Sequence, residues 1–392
     1  MGGPLDGIVV ADFTQLVQGP YAAQVLADLG AEVIKIEPPG GDWLRHFALG
    51  NAYPGGESIS FLAFNRNKAS VVLDLKQPDQ VTAARRIVAR ADVVLENFRP
   101  GVMERLGLGY ETLRELNPGL IYCASTGYGT DGPYRDRPGQ DLLVQSLTGL
   151  PTLNGRDGDP PIPVAIGVAD MTAGLHMVYG TLAALVERAR TGAGQRVDVN
   201  LLSSLLALQS QELTAHLNTA DRPRRNPVMA GTPFTGAPYG IYPTRDGHLA
   251  IAMNAVSRLM AALELDGWAD VDAQNITEPD ADAAIRAAIT DRLAGKSTVE
   301  WLDVLLAKDI WCAPLQDYDA VAADPQVRHN GTIVEIEHPT AGPVRVIGPA
   351  VRFSGNHADA EHSPPPRLGE HTRDVLTRLA GYNADEAERL SP

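Results

Sequence analysis

Strand and helix signals alternate along the first 200 residues, and this alternation limits the fold more than any other feature of the 392-residue chain. Residues 7–13 contain a β-branched run and read as a strand. Residues 20–29 read as a short helix with Pro20 in its first turn. Residues 32–37 alternate with period two and read as a strand. Residues 70–75 predict a strand, 79–90 a helix, 92–96 a strand, and 120–125 and 195–199 two further strands. Such an order predicts a mostly parallel sheet covered by helices.

Further on, Leu175, Val178, Leu182, Leu185 and Val186 share one helical face, with Asp170 just ahead of them. Gly174 and Gly180 lie inside this helix at a cost in propensity, so close packing is expected there. The pattern changes near residue 220. Residues 221–226 are charged and contain Pro223, which suggests a linker. Residues 241–243 and 249–253 flank Arg245, Asp246 and Gly247, a hairpin signal. Helices are expected at 255–266, 281–293 and 298–308, the last opened by a capping box from Ser297 to Glu300. Residues 331–353 return to β character, and 369–379 read as a final helix.

The net charge of −15 argues against a general binder of nucleic acid or anionic membranes. An anionic ligand would need basic residues gathered locally. Cys123 and Cys312 lie in apolar stretches and read as buried reduced thiols, with no disulfide framework. The first apolar run, 8–10, is too short for a signal peptide. The longest apolar helical stretch, 175–186, falls short of the roughly 18 residues of a membrane span. A cytoplasmic location is therefore expected. The turn from Thr14 to Pro20 lacks the closely spaced glycines of a dinucleotide fingerprint. There is no P-loop, no Gly-x-Ser-x-Gly elbow and no metal-ligand spacing among the nine histidines. Composition and spacing thus reach an α/β enzyme-like protein and leave its ligand open.

A set of motifs goes further: Asp12, Phe13 and Thr14 followed by Gly19 and Pro20; DLGAEVIKIEPPG at 28–40; NRNK at 65–68; LDL at 73–75; ENFRPG at 96–101; GYG at 127–129; Ala169 with Asp170; TGAGQ at 191–195; and PRLGEH at 366–371. In order and spacing, from about residue 5 to 375, the chain resembles family III CoA-transferases, which include formyl-CoA:oxalate and carnitine CoA-transferases. The resemblance implies a large Rossmann-like domain from both chain ends (1–205 and 328–392), a linker at 206–225 and a smaller α+β domain at 226–327. It also implies an interlocked homodimer, a coenzyme A thioester as substrate, a small carboxylate acceptor, and no permanently bound cofactor or metal.

Taken alone, Asp170 before an apolar-periodic run reads as a helix N-cap. The resemblance matches it to the family's nucleophilic aspartate. The roles are compatible, since a helix N-terminus favours the ionised carboxylate that attack requires. The implied chemistry runs through a mixed anhydride and an aspartyl-CoA thioester. By resemblance, Val17, Gln18, Leu73, Asp74, Leu75, Lys76, Asn97, Phe98, Arg99, Arg105, Gly139, Gln140 and Asp141 line the CoA site. Taken singly, Lys76, Arg99 and Arg105 read as solvated surface charge, the commonest role of any one Lys or Arg. Pro38 and Pro138 stand where formyl-CoA enzymes carry basic residues, so Arg45, Arg135 or Arg137 are alternative phosphate partners.

The family's α-methylacyl-CoA racemases have a His at the position of Gln140. An amide cannot serve as their general base, which favours transferase over racemase, although Asp141 or Glu212 could supply a second base. Gln140 alone could also be an ordinary polar helix-start residue. The nearest counterpart of the family's glycine-rich loop is 229–240, and oxalate is not indicated as the acceptor. Rival readings are an α-methylacyl-CoA racemase or related CoA-ester enzyme, and a non-catalytic CoA-ester-binding protein.

Overall fold

The computed structural model describes residues 3–220, 225, 232–271, 273–274, 276–354 and 362–391. The chain forms two compact units. One comprises Met1–Val144, Ile166–Leu208 and Pro325–Pro392, the other Gln145–Ala165 and Gln209–Asp324.

The first unit is built on a six-stranded sheet: β1 (Val9–Asp12), β2 (Glu32–Glu37), β3 (Lys68–Val72), β4 (Val93–Glu96), β5 (Ile121–Thr126) and β6 (Arg196–Asn200). All neighbours are parallel and the order is β3-β2-β1-β4-β5-β6. Chain progression reverses between β1 and β4, and the crevice at such a switch point is where open α/β sheets bind ligands. The connections are α1 (Gln18–Asp28), α2 (Ile59–Phe64), α3 (Pro78–Val88), α4 (Val102–Arg105), α5 (Tyr110–Leu116), α6 (Asp141–Leu147) and α7 (Val168–Thr191), and α8 (Leu201–Leu208) follows β6. Period-two alternation sends Val10, Val33 and Val93 toward α1 and α7. It sends Ala11, Ile34 and Val94 to the layer that contains α3. Both faces are thus buried, as a parallel sheet requires.

The expected strands and the helices at 20–29 and 79–90 are all present, with ends shifted by a few residues. Helix α7 shows why two glycines sit in its interior. A Cβ on Gly174 would stand 2.7 Å from the Gln18 carbonyl oxygen and 2.9 Å from the Tyr21 ring. One on Gly180 would meet Val197 at 2.9 Å. Helices α2 and α5 are short and were not read from the sequence.

The second unit holds α9 (Ser210–Asn218), β7 (Gly240–Pro243), β8 (His248–Ile251), α10 (Val256–Ala262), α11 (Pro279–Leu293), α12 (Thr298–Ala307), β9 (Cys312–Pro314) and α13 (Tyr318–Ala323). The strands make an antiparallel β7-β8-β9 sheet. The hairpin and the Ser297–Glu300 capping box occur where expected. Trp301 is fully buried in this unit's core and donates from Nε1 to the Leu293 carbonyl at 2.8 Å. The sequence reading placed 145–165 in the large domain, but the stretch groups with this unit. Arg225 explains part of that, because its guanidinium gathers the carbonyls of Asn154, Asp159 and Pro160. In its described part, the expected linker at 206–225 carries the end of α8 and all of α9.

The chain then returns to the first unit with α14 (Pro325–His329), the antiparallel pair β10 (Ile333–His338) and β11 (Gly342–Ile347), α15 (Thr372–Arg378) and α16 (Ala384–Leu390). Val375, Leu376 and Ala387 complete one apolar layer of the six-stranded sheet. Among the described residues no helix is long and apolar enough to cross a membrane.

Candidate active site

Asp170 is the third residue of α7, so it lies inside the first turn and is not the cap. The N-cap position belongs to Gly167, which has no side chain to offer. Asp141 fills that role from another segment. Its Oδ2 accepts the N–H of Ala169 at 2.7 Å and of Asp170 at 3.1 Å. These are the donors an N-cap side chain normally takes. The capping expected of Asp170 is therefore supplied by Asp141, 29 residues earlier.

Asp141 is located by a contact that only glycines permit. Gly127 directly follows β5 and packs against Gly139. A Cβ on Gly127 would stand 2.6 Å from the Cα of Gly139, and one on Gly139 would stand 2.4 Å from the Cα of Gly127. The segment carrying Gly139, Gln140 and Asp141 is thus pinned to the carboxyl end of β5.

Burial, and then the charge of Asp141, push the Asp170 carboxyl up to about 7. The sequence argument expected the helix N-terminus to favour the anion. Desolvation and a like charge win here, and Asp141 already occupies the first-turn N–H groups that would have stabilised the Asp170 anion.

Across the carboxyl ends of β1 to β4 runs a cleft of about 210 Å³. Phe13, Ile36, Leu73, Leu75, Phe98 and Leu106 give it apolar walls, and Gln15, Glu37, Pro38, Asp74 and Lys76 complete them. Five of the residues matched by resemblance (Leu73, Asp74, Leu75, Lys76 and Phe98) therefore share one crevice. Asn97 braces it rather than lining it. Its side chain exchanges two hydrogen bonds of 2.8 Å with the Gln15 backbone, tying the loop after β1 to the loop after β4. In that first loop Leu16 adopts left-handed backbone, φ 66°, with its N–H directed to Asp42. Such a conformation in a non-glycine residue persists only where the surroundings impose it. Val17 precedes α1 as its N-cap, and Gln18 accepts a 2.6 Å hydrogen bond from the buried Ser125 hydroxyl.

Arg99 and Arg105 are exposed and lie in no ion pair among the described residues. The guanidinium groups of Arg105 and Arg135 converge on Gly101, at 3.1 and 3.7 Å from where its Cβ would stand. Arg137 lies over the Tyr134 ring. Arg45 is not available as a phosphate partner. It makes a two-pronged bond to Glu37, donates to the Pro366 carbonyl and covers the Phe61 ring.

The structure also reveals what the motif residues do. Lys35 is fully buried, pairs with Asp42 at 2.8 Å and donates to the Thr14 carbonyl. Lys68 reaches the Pro20 carbonyl, Asn65 and Asp12. Burial alone would raise Glu37, but the Arg45 hydrogen bond and the charges of Lys35 and Arg45 hold it down at about 2. Burial lowers Lys68 to about 8. Much of the DLGAEVIKIEPPG and NRNK stretches therefore builds a charged floor under the cleft. Lys35, Lys68 and Gly127 stood in the quoted motifs without an assigned role, and Gln15, Asp42 and Ser125 were given none either.

Glu212 lies on α9 in the second unit. Of the glycine-rich candidate 229–240, residues 229–231 fall outside the described residues. Cys123 is buried, with its thiol pushed up to about 12, and Cys312 is half-buried; both are free. Among the described residues no group of three or more His, Cys, Asp or Glu could hold a metal ion.

A doubly wound parallel sheet, a crevice at its switch point and a carboxyl poised near neutrality define an α/β enzyme. Comparison with known proteins gives its family. The sequence model of CoA-transferase family III matches residues 5–372, and the chain belongs to that family. The mouse (Mus musculus) succinyl-CoA:glutarate CoA-transferase is 35% identical, covering 99% of this chain and 89% of its own. The Agrobacterium fabrum succinate–glutarate CoA-transferase is 34% identical over 96% of each. A CAIB/BAIF family protein from Brucella suis has a crystal structure that superposes with a TM-score of 0.84. It is 32% identical, covering 97% of this chain and all of that one.

Proposed function

We propose that this enzyme moves coenzyme A from an acyl-CoA donor to a small carboxylate through covalent intermediates on Asp170. The observation that carries the reading is the Asp170 carboxyl, half-buried in the first turn of α7 and clamped beside a second carboxylate that contributes to raising it to about 7. A perturbed, partly accessible acid next to a fixed scaffold is what a tuned reactive group requires.

In its ionised form Asp170 attacks the donor carbonyl. The C–S bond breaks, CoA leaves as the thiolate, and an acyl-aspartyl anhydride remains. The thiolate attacks the aspartyl carbonyl and expels the donor's carboxylate, leaving an aspartyl-CoA thioester. The acceptor carboxylate attacks that thioester and releases the thiolate again. The thiolate then takes the acceptor acyl group from the new anhydride, regenerating the Asp170 carboxylate. No net proton is consumed. The cleft over β1 to β4 supplies the apolar slot for CoA, and Lys76, Arg99, Arg105 and Arg135 supply the local cations its phosphates need. The exposed amide of Gln140 offers no general base for α-proton chemistry.

The named relatives act on succinyl and glutaryl groups, which makes short dicarboxylates the first acceptors to try. Helix α7 leaves Leu175, Tyr179 and Val186 exposed along one face, which supports a dimer of two copies. A cytoplasmic location completes the reading. The test incubates the enzyme with succinyl-, acetyl- and formyl-CoA against a panel of carboxylates including glutarate, with products followed by mass spectrometry. Appearance of an acceptor-CoA ester is the expected result. Hydrolysis alone with every pair would contradict the proposal.

A further inference from the structure

We infer that Asp141 is the positioning residue of this site: its carboxylate clamps the first turn of α7 and thereby fixes where the Asp170 side chain stands. The inference rests on Asp170 being the reactive group, but its geometry is independent of any substrate. Three observations converge on it. The first is that α7, 24 residues long, starts without a capping side chain of its own. The second is that one oxygen of Asp141 takes both the Ala169 and Asp170 N–H groups, so the bond ends on the backbone of the reacting residue itself. The third is the anchor behind Asp141, where the Gly127–Gly139 contact fastens its segment to the end of β5. Sheet, glycine pair, Asp141 and Asp170 thus form one rigid chain of contacts.

The two carboxylates are close. An oxygen of each lies 3.7 Å from the point where a Gly167 Cβ would stand. Proximity makes Asp141 an electrostatic partner as well. Helix α7 packs against α1, α8, β5 and β6. On α1 the titratable groups are Tyr21 and Asp28, and Asp28 is paired with Arg66. Helix α8 has none. Strand β5 carries Tyr122 and Cys123, and β6 carries Arg196 and Asp198, which pair with each other. On α7 itself, His176 bonds Ser204. Of these groups and Asp141, only Asp141 adds to burial in raising Asp170. A clamp that is also an anion therefore holds the reacting carboxyl in place and adds to burial in raising its proton affinity.

Two variants separate these effects. Asp141→Asn keeps an acceptor oxygen for the N–H groups and removes the charge. Asp141→Ala removes both. The first readout is modification of Asp170 by a water-soluble carbodiimide across pH 5–9, resolved by peptide mass spectrometry, which needs no turnover. The second is the transfer rate. We expect a wild-type midpoint near 7, and a lower midpoint in Asp141→Asn, whose plateau rate falls less than that of Asp141→Ala. In Asp141→Ala we expect a fall in kcat of about 10- to 100-fold with KM little changed, the usual scale for a displaced reacting group. Unchanged midpoint and rate in both variants would overturn the inference. A midpoint that shifts as expected in a protein that transfers no CoA would sustain the role of Asp141 and sink the transferase reading instead.

Discussion

Two aspartates compete for the start of α7, and the outcome sets the chemistry of the site. Asp141 takes the backbone donors, so Asp170 meets burial and a neighbouring negative charge without their compensation. Its carboxyl ionises near 7 rather than in the ordinary range. Because attack requires the anion, kcat/KM should rise as pH increases through about 7 and then level off. A flat profile from pH 5 to 9 would count against Asp170 as the nucleophile. The same shift has a stability consequence. The folded state holds a proton on Asp170 at pH values where the unfolded chain has lost it. Folding stability therefore falls as pH rises from about 4 to about 7, and the loss persists above that window. Asp170→Asn removes this penalty. We predict a variant with transfer reduced on the order of 1000-fold or more, yet more stable than wild type at pH 8 by about 1–3 kcal/mol, with no gain near pH 4. Denaturation curves at both pH values check this directly.

At the scale of elements, the charged floor built from β1, β2 and β3 is the feature with the largest energetic stake. Glu37 is buried and holds the nearly buried Arg45 by a two-pronged bond, and it also accepts from Ser70. Removing one partner of such a pair leaves an uncompensated buried charge. Glu37→Ala should therefore cost about 3–5 kcal/mol in urea unfolding, whereas a loss below about 1 kcal/mol would mean the pair is solvated. This floor also marks the limit of what the sequence can reveal. Period-two alternation located β2, and the turn residues Arg245, Asp246 and Gly247 located the β7–β8 hairpin, because both signals are local. That β2 is buried on both faces was not legible, since Lys35 and Glu37 look like solvent-facing residues until Asp42 and Arg45 are folded onto them. The cap on α7 failed for the same reason. Asp170 has the right local context, and the residue that wins the N–H groups arrives from the start of α6, 29 positions away. Gly174 and Gly180 were read correctly as close contacts, although the partners, Gln18 and Val197, could only come from the fold. Helix α16 went unread although Asn383 and Glu386 form a capping box at its start, a signal of the same local kind that located α12.

At the scale of the whole molecule, a chain with a net charge of −15 is expected to hold a polyanionic substrate. The local cations proposed for it are Lys76, which lines the cleft, the exposed Arg99, and Arg105 and Arg135, whose guanidinium groups converge on Gly101. Two copies are proposed to form the working unit. Sedimentation should then give a dimer at micromolar concentration, and tagged and untagged dimers should form hybrids only slowly under native conditions. A monomer, or hybrids within minutes, would contradict an interlocked assembly. Passage of coenzyme A through Asp170 is tested most closely by direct capture of the intermediate. The enzyme is incubated with an acyl-CoA donor without acceptor, quenched in acid, and mapped by peptide mass spectrometry with and without hydroxylamine. The expected result is a CoA adduct on the peptide containing Asp170, converted by hydroxylamine to the hydroxamate and lacking in Asp170→Asn. Transfer to an added acceptor at the wild-type rate by Asp170→Asn, or turnover that never labels Asp170, would contradict it.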